Sequence, residues 1–209
     1  SEITSTGNPA ADSYVAYTTA KGNMLTRLSD GLGSNDAYAL TAFALMGPIM
    51  IDLAFLPVSM SGLGEEAAIA GLGFFNAAGV QYSESGNTYT VSYTSEEQDE
   101  NGNTISVAYE FVSTYDPAVN GMVSTASKDG VPALYMECRQ TSFGWIGQYA
   151  TFSEDSEAGF ETIYVAIQGE DGVIGIGSSA AMPAPLTGSE SIDFPKDLPL
   201  WFAVEGDTV

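Results

Sequence analysis

The longest apolar stretch of the chain runs from Ala37 to Met60, and Asp52 is its only charged residue. The stretch is long enough for a transmembrane helix, which needs about 20 residues. Three features argue against a membrane span: Asp52 lies well inside it, prolines interrupt it, and no basic residues flank it. The pattern instead predicts two buried helices divided at Gly47-Pro48, one from Asp36 to Met46 and one from about Pro48 to Leu56.

Two further helices are predicted around this stretch. The first begins at Pro9, where Asn8 can cap it, and Gly31 marks its end. Its apolar face recurs at three- and four-residue spacing, with Lys21 reaching over it; the residues are Tyr14, Tyr17, Met24 or Leu25, and Leu28. The second begins near Ser61, after the apolar stretch, and has Glu65 and Glu66 in its first turn.

From Gly79 onward the apolar residues no longer recur at the three- and four-residue spacing of a helix. They recur at every second position. Tyr89, Val91 and Tyr93 alternate with polar residues, which is typical of strands with one buried and one wet face. Turn residues separate about eight such segments, and the connections are too short for crossover helices. The predicted strands, joined as an antiparallel meander, are 79–85, 88–96, 103–113, 121–127, 131–140, 143–153, 159–168 and 172–178.

The fold class predicted from these patterns is α+β. N-terminal helices, two of them buried and apolar, pack on a curved antiparallel β-meander of about eight strands. Residues 1–8 read as a linker or stalk, 9–178 as one domain with helices in 9–78 and the sheet in 79–178, and 179–209 as a proline-rich extension packed on that domain. By shape alone, this arrangement resembles the half-barrels of lipoprotein carriers, in which a sheet wraps helices around a lipid-sized cavity.

Charge restricts the partners that the chain can bind. Of its 209 residues, 27 are Asp or Glu and 5 are Lys or Arg, so the net charge is -22. Such a surface repels nucleic acid and anionic lipid headgroups, and we therefore expect no nucleic-acid partner. Few lysines, many Ser, Thr, Tyr and Gly, and a polar opening segment are typical of an exported domain after removal of its signal.

The absence of histidine removes several chemistries at once. Ser-His-Asp and Cys-His catalysis and the usual zinc ligands all require it. The single cysteine, Cys138, has no partner for an internal disulfide, and we expect it to be a small buried hydrophobe. Nothing in the sequence indicates a cofactor or a bound metal ion.

Asp52 is the first candidate functional residue. On a helix its neighbours would be Pro48, Ile49, Phe55 and Leu56, so a carboxylate facing them would be desolvated and its pKa raised. It could then transfer a proton or contact a ligand. The alternative is a side chain at the rim of the helix that reaches water or a backbone amide, because no titratable partner is near in sequence.

Two strands carry the other candidate ligand-facing residues. Tyr135, Glu137 and Arg139 occupy one face of their strand, and Trp145 and Tyr149 line one face of the next. An aromatic, Glu and Arg surface can stack on and hydrogen-bond a sugar or a peptide. Cross-strand pairing on a solvated face explains the same residues.

Two segments resemble ligand-binding motifs but agree with them only in part. Asp99, Asn101 and Asn103 alternate like the start of an EF-hand loop, but the glutamate at position twelve is missing and a plain turn is favoured. Gly62-x-Gly64-x-x-Ala67 formally matches a dinucleotide fingerprint. Because the preceding segment looks helical, this match predicts no nucleotide site.

Three functions remain open for the chain. The first is a non-enzymatic extracytoplasmic domain, secreted or lipid-anchored at a bacterial surface, that binds an apolar or amphipathic ligand between helices and sheet; Met46, Met50, Phe55 and Met60 would suit an adaptable pocket. The second is a carboxylate-dependent hydrolase of glycosidase type, with Glu110 and Glu137 as strand candidates. The third is a structural or adhesive surface module. The first is favoured, with a lipid, sugar or peptide as partner and without membrane integration.

Overall fold

The fold is α+β, as the sequence predicts. The computed structural model describes residues 5–36, 38, 41–152 and 159–209. Within these residues the chain forms three α-helices and one nine-stranded antiparallel sheet. The sequence also predicts a turn at Glu154-Asp155, which lies outside the described residues.

The N-terminal helix, α1, spans Pro9–Gly33. Its predicted cap is confirmed: the Asn8 side chain accepts hydrogen bonds from the backbone N–H groups of Ala10 and Ala11. The helix continues past the predicted stop at Gly31. A side chain at Gly31 would collide with Val209, so this glycine allows the C-terminal residue to pack against the helix.

The central apolar stretch differs from its prediction. It forms a 3₁₀ helix over Thr41–Leu45, α2 over Met46–Ala54, and a second 3₁₀ helix over Leu56–Met60. The predicted division at Gly47-Pro48 falls slightly too late, because the change from 3₁₀ helix to α-helix lies between Leu45 and Met46. Pro48 is in the first turn of α2, where it forfeits no hydrogen bond. The start of the predicted helix from Asp36 to Met46 falls partly outside the described residues, at positions 37, 39 and 40.

The expectation that these apolar helices are buried on every side is wrong for α2. Pro48 is the buried residue of this helix, while Met46, Ile49, Met50 and Leu53 are exposed on its outer side. The helix that follows, α3, spans Glu65–Gly73 and begins after Gly64.

The sheet is a meander in which every strand pairs with its neighbours in the chain. Strand order is β1 to β9 without a crossover, and all pairs are antiparallel. Because no parallel strand–helix–strand unit is present in this sheet, the glycine pattern at Gly62 has no dinucleotide-binding context. In order, the strands are Ala78–Ser85, Thr88–Gln98, Thr104–Asp116, Gly121–Lys128, Val131–Gln140, Trp145–Phe152, Phe160–Gln168, Asp171–Ser179 and Leu200–Val204.

The ninth strand comes from the C-terminal extension. Residues after Pro199 pair with β8, from Gly172 opposite Val204 to Ile176 opposite Leu200. The four prolines between Pro183 and Pro199 therefore do not prevent regular structure at the end of the chain.

The main core lies between the helices and one face of the sheet, here called the inner face. Residues of α1 share it with side chains from strands β2 to β9. A smaller core lies on the opposite, outer face, where Leu186 of the extension covers Ile146 and Ala166. None of the helices in the described part of the chain is both long and apolar enough to span a membrane.

Candidate functional site

Asp52 has a charged partner that is distant in sequence. Its carboxylate oxygen lies 2.5 Å from the Lys21 ammonium, which comes from α1. Lys21 also donates to the Tyr149 hydroxyl at 2.9 Å, and Tyr149 donates to Tyr17 at 3.0 Å. These four side chains form a polar cluster inside the main core.

The sequence suggests that Lys21 extends over the apolar face of α1 towards water. The structure buries it instead. The residue is 0% exposed, whereas 35% of the Asp52 side chain is exposed. The ion pair therefore joins a fully buried ammonium on α1 to a carboxylate at the rim of α2. Asp52 is at the edge of its helix, as the second interpretation held, but it reaches a lysine as well as solvent.

Burial determines the protonation of this cluster. It lowers the pKa of the Lys21 ammonium, although the Asp52 carboxylate acts in the opposite direction. Burial also raises the pKa values of Tyr17 and Tyr149 far above the usual range, so both phenols stay protonated and neutral. The expected burial of Cys138 is confirmed, and desolvation raises the pKa of its thiol to about 12. A protonated, buried thiol is a poor nucleophile.

A cavity of about 330 Å³ opens between the helices and the inner face of strands β2 to β5. We call it the helix–sheet cavity. Its volume lies within the range of small-molecule sites in proteins, roughly 300–1,000 Å³. The residues around it are Leu53, Ala54, Leu56, Pro57, Leu72, Phe75, Ala77, Tyr93, Ser95, Glu97, Tyr109, Lys128 and Leu134.

Most of that lining is apolar, and its charged groups lie together. The Lys128 ammonium is 3.2 Å from a Glu97 oxygen and 5.2 Å from the centre of the Tyr109 ring. Tyr109 donates a hydrogen bond to Glu97, and its ring stacks on Tyr93 at 5.2 Å. Burial and the Glu97 contact raise the pKa of Tyr109. The cavity thus has an apolar body and a polar rim.

Two more cavities adjoin α2. One of about 290 Å³ separates it from α1, beside Ile49 and Asp52. The other, of about 380 Å³, lies between α2 and strands β6 to β8, with Pro48 and Ile51 on the helix side. With the helix–sheet cavity at Leu53, α2 has open space on three sides.

The structure divides the predicted sheet residues between opposite faces. Tyr149 lies opposite Met136 and Glu137 opposite Gln148, so Tyr149 faces the helices and Glu137 faces away from them. Trp145 joins Tyr149 on the inner face and packs on Tyr17, with ring centres 5.9 Å apart. The five residues therefore do not form one surface.

Glu137 and Arg139 hold the C-terminal extension, and Tyr135 hydrogen-bonds Glu137. One Glu137 oxygen accepts from Tyr135 at 2.8 Å, from Gln148 at 3.0 Å and from the Leu186 backbone N–H at 2.9 Å. Arg139 donates to the Leu186 carbonyl at 2.8 Å. Tyr135 and Glu137 are buried beneath this segment, so they are not part of a solvated face.

The two glutamates considered for hydrolysis are far apart. Glu110 pairs with Ser127 of β4, and Val123 of the same strand pairs with Glu137. Four residues along β4 and two strand spacings place the two Cα atoms roughly 16 Å apart, whereas the carboxyl groups of glycosidase pairs are about 5–9.5 Å apart. Neither lines a cavity described above.

The acidic hairpin forms the plain turn that the sequence favours. Asp99 accepts from the backbone N–H groups of Asn101 at 2.9 Å and Asn103 at 2.8 Å, and from the Asn103 side chain at 3.0 Å. Among the residues that the structure describes, no three Cys, Asp or Glu side chains are grouped so as to hold a metal ion.

Comparisons of the chain with protein-family models, with curated proteins and with solved structures give no match. Sequence reasoning did not find the cavity residues Tyr93, Glu97, Tyr109 and Lys128 as a group, because they come from three strands. The available signal was the alternation in β2 and β3, which places Tyr93 and Tyr109 on the face that carries apolar residues.

Proposed function

We propose that this chain is a non-enzymatic, extracytoplasmic domain, secreted or lipid-anchored, that binds an amphipathic ligand between its helices and its sheet. The observation that carries the proposal is the helix–sheet cavity, with its apolar walls and the polar rim of Glu97, Tyr109 and Lys128. An apolar chain would occupy the body of the cavity, and a polar head would meet the rim.

The volume favours a ligand with one chain. A water molecule occupies about 30 Å³, and a methylene group is of similar size, so 330 Å³ holds a single medium-length acyl chain. The additional space beside α2 allows this helix to adjust to longer ligands. A ligand of this type is a fatty acid or a lysophospholipid.

The arrangement of the core also supports the prediction that the sheet is curved. One cluster of contacting buried residues extends from Tyr89 of β2 to Val204 of β9 and includes α1. We infer that the sheet curves around this helix, since a flat sheet of nine strands would leave its margins far from α1.

None of the four residues expected to form an adaptable pocket lines the helix–sheet cavity. Phe55 lies in the main core, Met60 packs against that core, and Met46 and Met50 face outward from α2. The extracytoplasmic location rests on composition. A charge of -22, few lysines and a polar opening segment suit an exported domain.

Ligand binding is tested first by native mass spectrometry of protein purified without detergent. Laurate and lysophosphatidylcholine are then added, and the urea midpoint is measured. A ligand at about 100 times its Kd adds about 2.7 kcal/mol to the free energy of unfolding. A clean apo mass together with no stabilisation by either amphiphile would refute the proposal.

A cavity-filling variant locates the site. Ser95 lines the helix–sheet cavity, and Ser92, of the opposite parity on β2, faces away from it. Ser95→Trp should abolish stabilisation by laurate, whereas the matched control Ser92→Trp should retain it. Equal stabilisation of both variants would place the ligand elsewhere.

A further inference from the structure

An apolar stripe runs along the outer side of α2 and the 3₁₀ helix before it. Phe43, Met46, Met50 and Leu53 follow each other at three- or four-residue spacing, so their side chains share one face. Their exposed fractions are 69%, 50%, 48% and 50%. A surface helix normally presents polar residues on its outer face, and α2 presents the reverse.

The stripe continues to the mouth of the helix–sheet cavity. Leu53 at its end lines that cavity, and so does Phe75. Phe75 is itself 50% exposed and packs against Phe74, which is 84% exposed, with ring centres 5.4 Å apart. Stripe and aromatic pair thus border one opening, and exposed apolar patches of this kind mark interaction sites.

Charge decides what can cover this surface. No residue of the stripe or of the aromatic pair is charged, and the chain as a whole carries -22. A second copy of the chain would bring an equal negative charge into contact, and an anionic membrane would be repelled over its whole surface. An uncharged apolar layer encounters neither kind of charge repulsion.

We propose that the stripe of Phe43, Met46, Met50 and Leu53, with Phe74 and Phe75, docks on a zwitterionic phospholipid bilayer. The helix lies in the interface with this face among the acyl chains, as amphipathic interfacial helices do. Flexible methionine side chains adapt to such a disordered surface.

Docking places the cavity mouth at the membrane. Because Leu53 and Phe75 belong to both the cavity and the exposed patch, an amphiphile could pass from bilayer to cavity without crossing water. This consequence rests on the proposed function, whereas the docking itself does not.

The test is flotation of the protein with phosphatidylcholine vesicles. We expect the unmodified chain to float with them and Met46→Glu/Met50→Glu to lose at least about tenfold in binding. The matched control is Ile105→Glu/Val131→Glu, which places the same charges at two exposed apolar positions of the sheet. It should bind as the unmodified chain does.

Further arms separate the alternatives. Added phosphatidylglycerol should weaken binding, and this weakening should disappear at high salt. No flotation of the unmodified chain, or equal loss in both double variants, would overturn the proposal. So would a dimer in light scattering that Met46→Glu/Met50→Glu dissociates, because a second copy would then cover the stripe.

Docking and ligand binding can fail separately. Met46 and Met50 do not line the helix–sheet cavity, so their double variant should still be stabilised by laurate. Flotation without stabilisation by any amphiphile would refute the proposed function and leave docking intact. Stabilisation by an amphiphile without flotation would refute docking and leave the proposed function intact.

Discussion

The helices α1 and α2 meet at one ion pair, but the protein holds them in different ways. α1 buries a continuous face, from Tyr14 to Leu32, in the main core. α2 contributes the buried Pro48 and the partly buried Ile51, has open space on three sides, and turns its apolar stripe outward. Its polar tie to α1 is the contact between Asp52 and Lys21.

This difference separates a helix that builds the fold from one that covers a cavity. Buried contacts set how much free energy local opening costs, and regions with few of them open first. α1 should therefore open only when the whole domain unfolds, whereas α2 can move while the sheet and α1 remain folded.

The largest expected effect is a loss of stability at alkaline pH that originates on the α1 side. Burial raises the pKa values of Tyr14, Tyr17 and Tyr149 well above the ordinary value of 10. Above pH 10 the unfolded chain releases these protons while the folded chain keeps them, so stability falls as pH rises. Three protons contribute about 4 kcal/mol per pH unit once the unfolded phenols are ionised, above about pH 11. The raised pKa values of Tyr93, Tyr109 and Tyr135 in the sheet add to the same fall, and the urea midpoint between about pH 9 and 12 measures the sum.

Lys21 acts with the opposite sign. Because its pKa is lowered in the folded state, the unfolded chain binds more protons just below pH 10.5, and stability rises with pH in that window. The test of the alkaline effect is Tyr149→Phe, which should reduce the slope by about 1.4 kcal/mol per pH unit. If the slope of stability against pH is unchanged, the folded chain does not retain the Tyr149 proton above pH 10.

The next effect concerns the buried face of α1. Leu28 is fully buried, and Leu28→Ala should lower the free energy of unfolding by about 2–5 kcal/mol, because it removes apolar contacts and leaves a cavity. Urea denaturation measures the change. A loss below about 1 kcal/mol would mean that α1 is held no better than α2.

The ion pair comes third. Asp52→Asn leaves the buried Lys21 ammonium without its counter-charge; we expect a loss of about 2 kcal/mol, less than the about 3–5 kcal/mol of fully buried pairs, since Asp52 is partly exposed. Amide exchange of α2 should become faster, and that of α1 should not. The control Lys21→Met/Asp52→Leu should restore the stability while leaving out both charges. If it does not, packing rather than charge holds α2.

The smallest effect is expected on the outer face of α2. Met50→Ala, at a position that is half exposed, should change the free energy of unfolding by no more than about 0.5 kcal/mol. It is the counterpart of Leu28→Ala on the other helix. A loss near 2 kcal/mol would show that Met50 packs within the domain, and the comparison of the two helices would fail.

Much of the fold could be predicted from local patterns. The period of two and the turn residues gave the strands β1 to β8 and their antiparallel order, because hairpin connections leave few alternatives. Asn8 and Pro9 located the start of α1 because a helix cap is a local structure. The boundary predicted at Gly47-Pro48 fell slightly after the observed one between Leu45 and Met46, since proline is compatible with the first turn of a helix.

The candidate site was less predictable because its contacts are long-range. Lys21 and Asp52 are 31 residues apart, and Lys21 and Tyr149 are 128 apart. Glu137 has the composition of a ligand-binding residue, but it accepts the backbone N–H of Leu186, 49 residues later. Side-chain chemistry indicated that these groups need partners and could not identify them.

The sequence by itself determined the fold class, the core face of α1 and the strong negative charge, because periodicity, capping and composition are properties of the chain alone. Tertiary structure decided which apolar residues are covered. A sequence records that the region around α2 is hydrophobic, but the free energy of burial depends on the surface that it meets. The fold covers one side of α2 with the sheet and α1, and it leaves the stripe from Phe43 to Leu53 exposed beside the cavity.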